Sequence, residues 1–168
     1  MHSNNAIELL TDDHEKVKGL FSEFDAIADD DSNLEEKAVL VQQICQELIV
    51  HMTIEEEIFY PAARSAIDDD DLLDEAIVEH SSAKDLIEQL EAMNPDDDQY
   101  DAKVKVLKEY IEHHVKEEEE DMFPKIEASG LDLEHYGEQL AERKEELSAV
   151  PHMMGASADA PTRPRPSR

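Results

Sequence analysis

Apolar residues recur at alternating steps of three and four along most of this chain. Between residues 6 and 28 they fall at Ile7, Leu10, Val17, Phe21 and Phe24, with His14 in the same register. That spacing places a single stripe on one face of an α-helix. A second segment, about Leu34 to Ile67, sets Leu40, Ile44, Leu48, His51, Glu55 and Ile58 on one stripe, and Pro61 predicts a kink or an end there. A third, about Leu72 to Met93, turns Leu73, Ile77, His80, Ala83, Ile87 and Leu90 inward. A fourth, about Gln99 to Ala128, does the same with Leu107, Ile111, His114, Glu118 and Met122. Asp29 to Asn33, Asp68 to Asp71 and Asn94-Pro95 separate these segments, and Ser129-Gly130 predicts a glycine cap. A shorter helix, about Leu133 to Ala149, is expected to pack on the outside. Long helices with short connections make antiparallel neighbours. The expected fold is all-α: an antiparallel up-down four-helix bundle over residues 1–150 with an extra short C-terminal helix. Residues 151–168, rich in Pro and Arg, are expected to be a disordered tail.

The stripes carry residues that do not belong in a core. His14, His51, Glu55, His80, His114 and Glu118 all stand where an apolar residue would be expected. Burying an ionised carboxylate without a partner is costly. Six such groups inside one bundle require something cationic among them. Their order supports the same reading. His51 is followed by Glu55 and Pro61, and His114 by Glu118 and Pro124, at identical offsets. His14 and Leu20 match His80 and Leu86. The chain therefore reads as a duplication, each half a His helix followed by a His-x-x-x-Glu helix. Residues four apart share a helix face, so each pair aims an imidazole and a carboxylate in one direction. The repeat implies two metals, or one site shared by the halves.

Neighbouring residues compete for these roles. His113 lies about 100° around the helix from His114 and lacks the repeated offset. Glu56, Glu57, Glu117, Glu119 and Glu120 read as solvated charge. Tyr110, one turn before His114, and Lys84, one turn after His80, are candidates for the layer behind the ligands. Tyr110 also reads as an ordinary core Tyr, and Tyr60 is a weaker candidate of the same kind. His2, His135 and His152 match no stripe and read as bystanders.

Composition narrows the function. There are 44 acidic residues against 15 Lys and Arg, a formal charge of −29. Nucleic acids and anionic membranes both require basic surface, so neither is an expected partner. One cysteine, Cys45, permits no internal disulfide, and it sits in an apolar run. With no signal-peptide pattern at the N-terminus and no apolar run of transmembrane length, a cytoplasmic location is expected.

The motifs Asp-Asp-His14, His51-x-x-x-Glu55 with Phe59-Tyr-Pro61, Glu-His80, and His114-x-x-x-Glu118 with Met122-Phe-Pro124 resemble those of the hemerythrin-like HHE cation-binding family. The resemblance runs from about Ile7 to Ala128. It implies a four-helix bundle holding two iron ions in an oxo- or hydroxo-bridged centre, with His14, His51, Glu55, His80, His114 and Glu118 as ligands. Oxygen-carrying members use five His, two of them four residues apart in the third helix. Here Ala76 and Lys84 flank His80 at that spacing, so one ligand is missing. Water, Tyr or a nearby carboxylate would fill its place. A site with exchangeable positions suits dioxygen or peroxide chemistry, with peroxide decomposition, a catalase-like oxidoreductase activity, as the leading expectation. The alternative is a module that binds dioxygen, nitric oxide or iron for storage, scavenging or sensing. Zinc or manganese would accept the same ligands. The sequence identifies no catalytic residue and no oligomeric state.

Overall fold

The computed structural model describes residues 5–149. All regular structure among them is helical. Helix α1 spans Ala6–Ile27, and the Asn5 side chain caps it by accepting from the Ile7 N–H at 2.8 Å. Helix α2 spans Leu34–Ile54, α3 Tyr60–Ala66, α4 Asp70–Glu91, α5 Tyr100–Glu117, α6 Phe123–Ser129 and α7 Leu133–Ala149. The expected tail lies outside the described residues, as do His2 and His152.

The second and fourth arms do not break at their prolines. Each continues through a five-residue π segment, Glu55–Phe59 between α2 and α3 and Glu118–Met122 between α5 and α6. The Tyr60 N–H reaches back to the Glu55 carbonyl, and the Phe123 N–H to that of Glu118, one residue further than in an α-helix. Proline has no N–H and crowds the carbonyl four residues before it. The wide turn just ahead of Pro61 and Pro124 accommodates both features. It also rotates the helical turns beyond it. Ile58, expected on the stripe, is only partly buried, whereas Phe59 and Tyr60 are fully buried.

One position in α4 also differs from expectation. Ile77 is 39% exposed and Ala76 is buried. With 100° per residue, Leu73, Ala76, His80, Ala83 and Ile87 centre on a direction about 80° away from Ile77. Gly130 ends α6 with φ at 79°, in the left-handed region that favours glycine.

Helix α1 packs on α2, and α4 on α5; α7 lies outside, against α1, α2 and the first π segment. The core has two apolar clusters. Val17, Phe21, Ile44, Leu48, Ile87, Leu107 and Ile111 belong to one; Leu10, Phe59, Tyr60, Leu73, Met122, Phe123 and Ile126 belong to the other. Each fully buried Leu or Ile contributes about 1.5–3 kcal/mol. The polar stripe residues lie in the chain between these two sets, so the clusters bracket them from both ends.

Candidate metal centre

Each arm of the bundle delivers one imidazole to the same layer: His14 from α1, His51 from α2, His80 from α4 and His114 from α5. Glu55 and Glu118, the first residues of the two π segments, deliver carboxylates. All six are 6% exposed or less. The histidines form two pairs. The rings of His14 and His51 have centroids 4.9 Å apart, and those of His80 and His114 are 4.6 Å apart. Each carboxylate reaches both pairs. Glu55 Oε1 is 2.8 Å from His51 Nε2 and 3.4 Å from His80 Nε2. Glu118 Oε1 is 3.0 Å from His114 Nε2 and 3.4 Å from His14 Nε2. Two clusters of possible ligand atoms result, each within 4.8 Å: His14, His51 and Glu118, and Glu55, His80 and His114.

An outer ring of acids orients the imidazoles. His14 Nδ1 contacts Glu119 Oε1 at 3.2 Å, and His51 Nδ1 contacts Asp13 Oδ2 at 3.0 Å. His80 Nδ1 contacts Glu56 Oε2 at 3.3 Å, and His114 Nδ1 contacts Glu79 Oε1 at 3.0 Å. The ring repeats with the duplication. The acid before the first His of each half holds the second His; the acid after each inner Glu holds the first His of the other half. An ionised carboxylate only accepts, so each Nδ1 is the donor. In neutral imidazoles the four Nε2 lone pairs then all face inward.

His80 Nε2 and His114 Nε2 lie 3.1 Å apart, within hydrogen-bond distance, but most of the inner atoms do not satisfy one another. Among the described residues, His14 Nε2, His51 Nε2, both Glu55 oxygens and Glu118 Oε1 are buried without a hydrogen bond. His51 Nε2 and Glu55 Oε1 are close, but they are not directed at each other as donor and acceptor. Lone-pair atoms gathered in this way need a proton or a cation among them. Electrostatics agree. Burial opposes charge on His51, yet Glu55 and Asp13 outweigh it and raise the pKa to about 10. Burial is likewise outweighed at His80 by Glu55 and Glu56, and at His114 by Glu118 and Glu79, so both are raised. Glu118 is held well below the usual carboxylate range because His114, Glu55 and His14 outweigh its burial. The donor set, nitrogen and oxygen without thiolate, fits iron, zinc or manganese.

Tyr60 completes the layer. Its hydroxyl donates to Glu118 Oε2 at 3.1 Å and lies 3.2 Å from His80 Nε2 and 3.3 Å from His114 Nε2. Burial and the charges of Glu118 and Glu55 push its pKa up. Tyr110 is not at the centre: it is 47% exposed, and no hydrogen bond among the described residues joins it to the cluster. Tyr110 lies in regular α5, about 80° off the centre of its apolar stripe, while the first π segment turns Tyr60 inward. The extra residue per turn brings Tyr60, five positions after Glu55, under the carboxylate. The duplicated Pro offset was the available signal for that turn.

Lys84 lies one layer further out, donating to Glu56 Oε2 at 2.6 Å. Glu56 and Glu119 are not simply solvated, since each holds a histidine. Glu56 sits at about 2 because the contact with His80 outweighs burial and Lys84 adds to it. Asp13, also unexpected, is buried and held by Lys144 of α7 as well as by His51. The acids preceding His14 and His80 were visible as a repeated motif but carried no assigned role. His113 is 63% exposed and pairs with Glu79 and Glu117 at the surface. His135 is exposed on α7.

The sequence matches the hemerythrin HHE cation binding domain over residues 5–126. The chain belongs to this family. Among solved structures it is similar to a hemerythrin HHE cation-binding domain-containing protein from Mycobacterium kansasii, with a TM-score of 0.72 and 30% identity, covering 86% of this chain and 88% of that one. An uncharacterized Mycobacterium tuberculosis protein is 28% identical over 150 residues, 88% of this chain and 89% of its own length. A DNA nickase of Nostoc is 30% identical over 154 residues, 92% of this chain; the match spans only 42% of the nickase. The match bears out the all-helical fold expected from the stripes and the hemerythrin-like architecture that the family resemblance implied. No helix among the described residues is long and apolar enough to cross a membrane.

Proposed function

We propose that this chain holds two iron ions, bridged by Glu55 and Glu118 and an oxo or hydroxo group, and acts on dioxygen or peroxide. The carrying observation is the buried layer in which His14 Nε2, His51 Nε2, both Glu55 oxygens and Glu118 Oε1 face inward with no hydrogen bond to absorb them. His14 and His51 would hold one ion, and His80 and His114 the other. Each carboxylate contacts both pairs, as a bridge requires. The Tyr60 hydroxyl stands beside His80 and His114 and would take the position left by the missing fifth His. Bound iron would supply the redox capacity for peroxide decomposition.

The residues around the layer prepare it. Asp13, Glu56, Glu79 and Glu119 fix each ring's orientation and keep Nε2 bare. The apolar clusters above and below exclude bulk water and strengthen every charge interaction inside. A cytoplasmic site goes with this reading. Nucleic acid is not part of it: the nickase activity belongs to a protein more than twice as long, and a formal charge of −29 opposes a phosphate backbone.

Protein produced with iron is expected to contain two irons per chain, to absorb in the near ultraviolet, and to release oxygen from peroxide faster than free iron. His80→Ala should remove the absorption. Stoichiometric zinc in place of iron, or no metal, would sink the proposal. Reversible spectral change with dioxygen or nitric oxide and no turnover would favour the binding module instead.

A further inference from the structure

A pocket of about 280 Å3 opens between α1, α5 and the second π segment. Its walls carry Lys18, Lys116 and Glu119 and include His14, Val17, Ile111 and Val115. A second, enclosed cavity of about 10 Å3 lies further in. It is lined by all four clustered histidines, with Leu48 and Met52 on the apolar side. His14, Val17, Ile111 and Val115 line both spaces. Larger pockets of about 450 and 390 Å3 elsewhere include none of the clustered histidines.

We infer that Val17, Ile111 and Val115 form a gate through which uncharged molecules of dioxygen size reach the four-histidine layer. This rests on reading the layer as a metal centre. The gate residues are apolar, so a charged species would lose its hydration there without a partner. The inner cavity holds about one water-sized molecule. Dioxygen, nitric oxide and hydrogen peroxide, with two heavy atoms each, enter as the gate side chains move apart; branched organic hydroperoxides are too wide. Tyr60 and Phe123 belong to the opposite apolar cluster, so the gate and the phenol lie on different sides of the layer. The short path matters because motions of side chains at the rim, rather than of whole helices, suffice to open it. Val115 is the partly buried member and the natural moving part.

Two measurements test the gate on the full chain. The first needs no iron. Dissolved dioxygen is paramagnetic and speeds the relaxation of methyl protons it visits. In protein prepared with zinc, Leu48 and Met52 methyls should relax at least roughly threefold faster under dioxygen than the equally buried Leu73 and Ile126 methyls, because dioxygen occupies the inner cavity. The second uses protein loaded with ferrous iron. Val115→Phe should slow nitric oxide association roughly tenfold and its release by a similar factor, leaving affinity unchanged, while Val17→Ala speeds both. Equal relaxation at all four methyls would overturn the proposal. So would unaltered association rates in both variants at normal iron content. Failure of the metal reading would show separately, as absence of stoichiometric metal in protein whose Leu48 and Met52 methyls still respond to dioxygen.

Discussion

The Tyr60 hydroxyl donates to Glu118 Oε2 at 3.1 Å, joining the first half of the chain to the carboxylate of the second. The duplication supplies no equal on the other side. Phe123 holds the matching place before Pro124, and its ring stacks on His14 at 6.0 Å. The two histidine pairs are therefore chemically different: His80 and His114 meet a phenol from the first half, and His14 a bare ring from the second. Tyr60→Phe should leave helicity intact but strip Glu118 of a donor. The cost in metal-free protein is about 1–3 kcal/mol, read as a lower melting temperature. In iron-loaded protein the visible absorption should change as well. An unchanged spectrum would remove Tyr60 from the centre.

Asp13 ties the layer to the outer helix, since it contacts both His51 and Lys144. Replacing an acid that orients a ligating imidazole lowers metal affinity by about 10–100-fold. Asp13→Asn should show that loss in competition with a chelator. Lys144→Ala should show a smaller one, because Lys144 is partly exposed and acts through Asp13. Equal affinities in all three proteins would confine Asp13 to a packing role.

The π segments make a sharper prediction. Deleting Glu57 removes the extra residue and rotates everything after it by about 100°. Circular dichroism should still report a helical protein, while metal content falls, because Tyr60 leaves its place beside Glu118, His80 and His114. Full metal content after the deletion would mean that the wide turn only accommodates Pro61.

Cys45 carries a pH signature away from the site. It is fully buried in the first apolar cluster, and burial, aided by Glu91, pushes its thiol up to about 12 from 9.0. Below pH 9 the thiol is protonated in both folded and unfolded chains and contributes no pH dependence. Above it the unfolded chain releases the proton first, so stability falls as pH rises toward 12, by at most about 1.4 kcal/mol per pH unit. Denaturant melts of Cys45→Ala between pH 9 and 12 should show a shallower decline than the parent. Parallel declines would mean the thiol ionises equally in both states.

Much of this protein could be read without coordinates, for identifiable reasons. His14, His51, His80 and His114 stood out because a helix repeats every 3.6 residues and a polar residue on an apolar stripe violates that repeat. The HHE family resemblance followed from the same positions. Ile58 was misplaced because an ideal helix was assumed where a wide turn rotates it and Tyr60, whereas Ile77 and Tyr110 lie in regular helices about 80° off the centre of their stripes. Glu56 and Glu119 looked solvated because a carboxylate's partner lies on another helix and leaves no mark in its own.

The sequence alone determined where the helices run, that they pair by duplication, and which polar groups turn inward. These depend on hydrogen bonds and side-chain spacing within a few residues. Only the tertiary structure decided that Glu55 and Glu118 each reach across to the other half, that Tyr60 rather than Tyr110 meets the histidines, and that four acids hold the rings from outside. Such contacts join residues up to 105 positions apart. They depend on how the helices rotate against one another, and that rotation is set by the whole core.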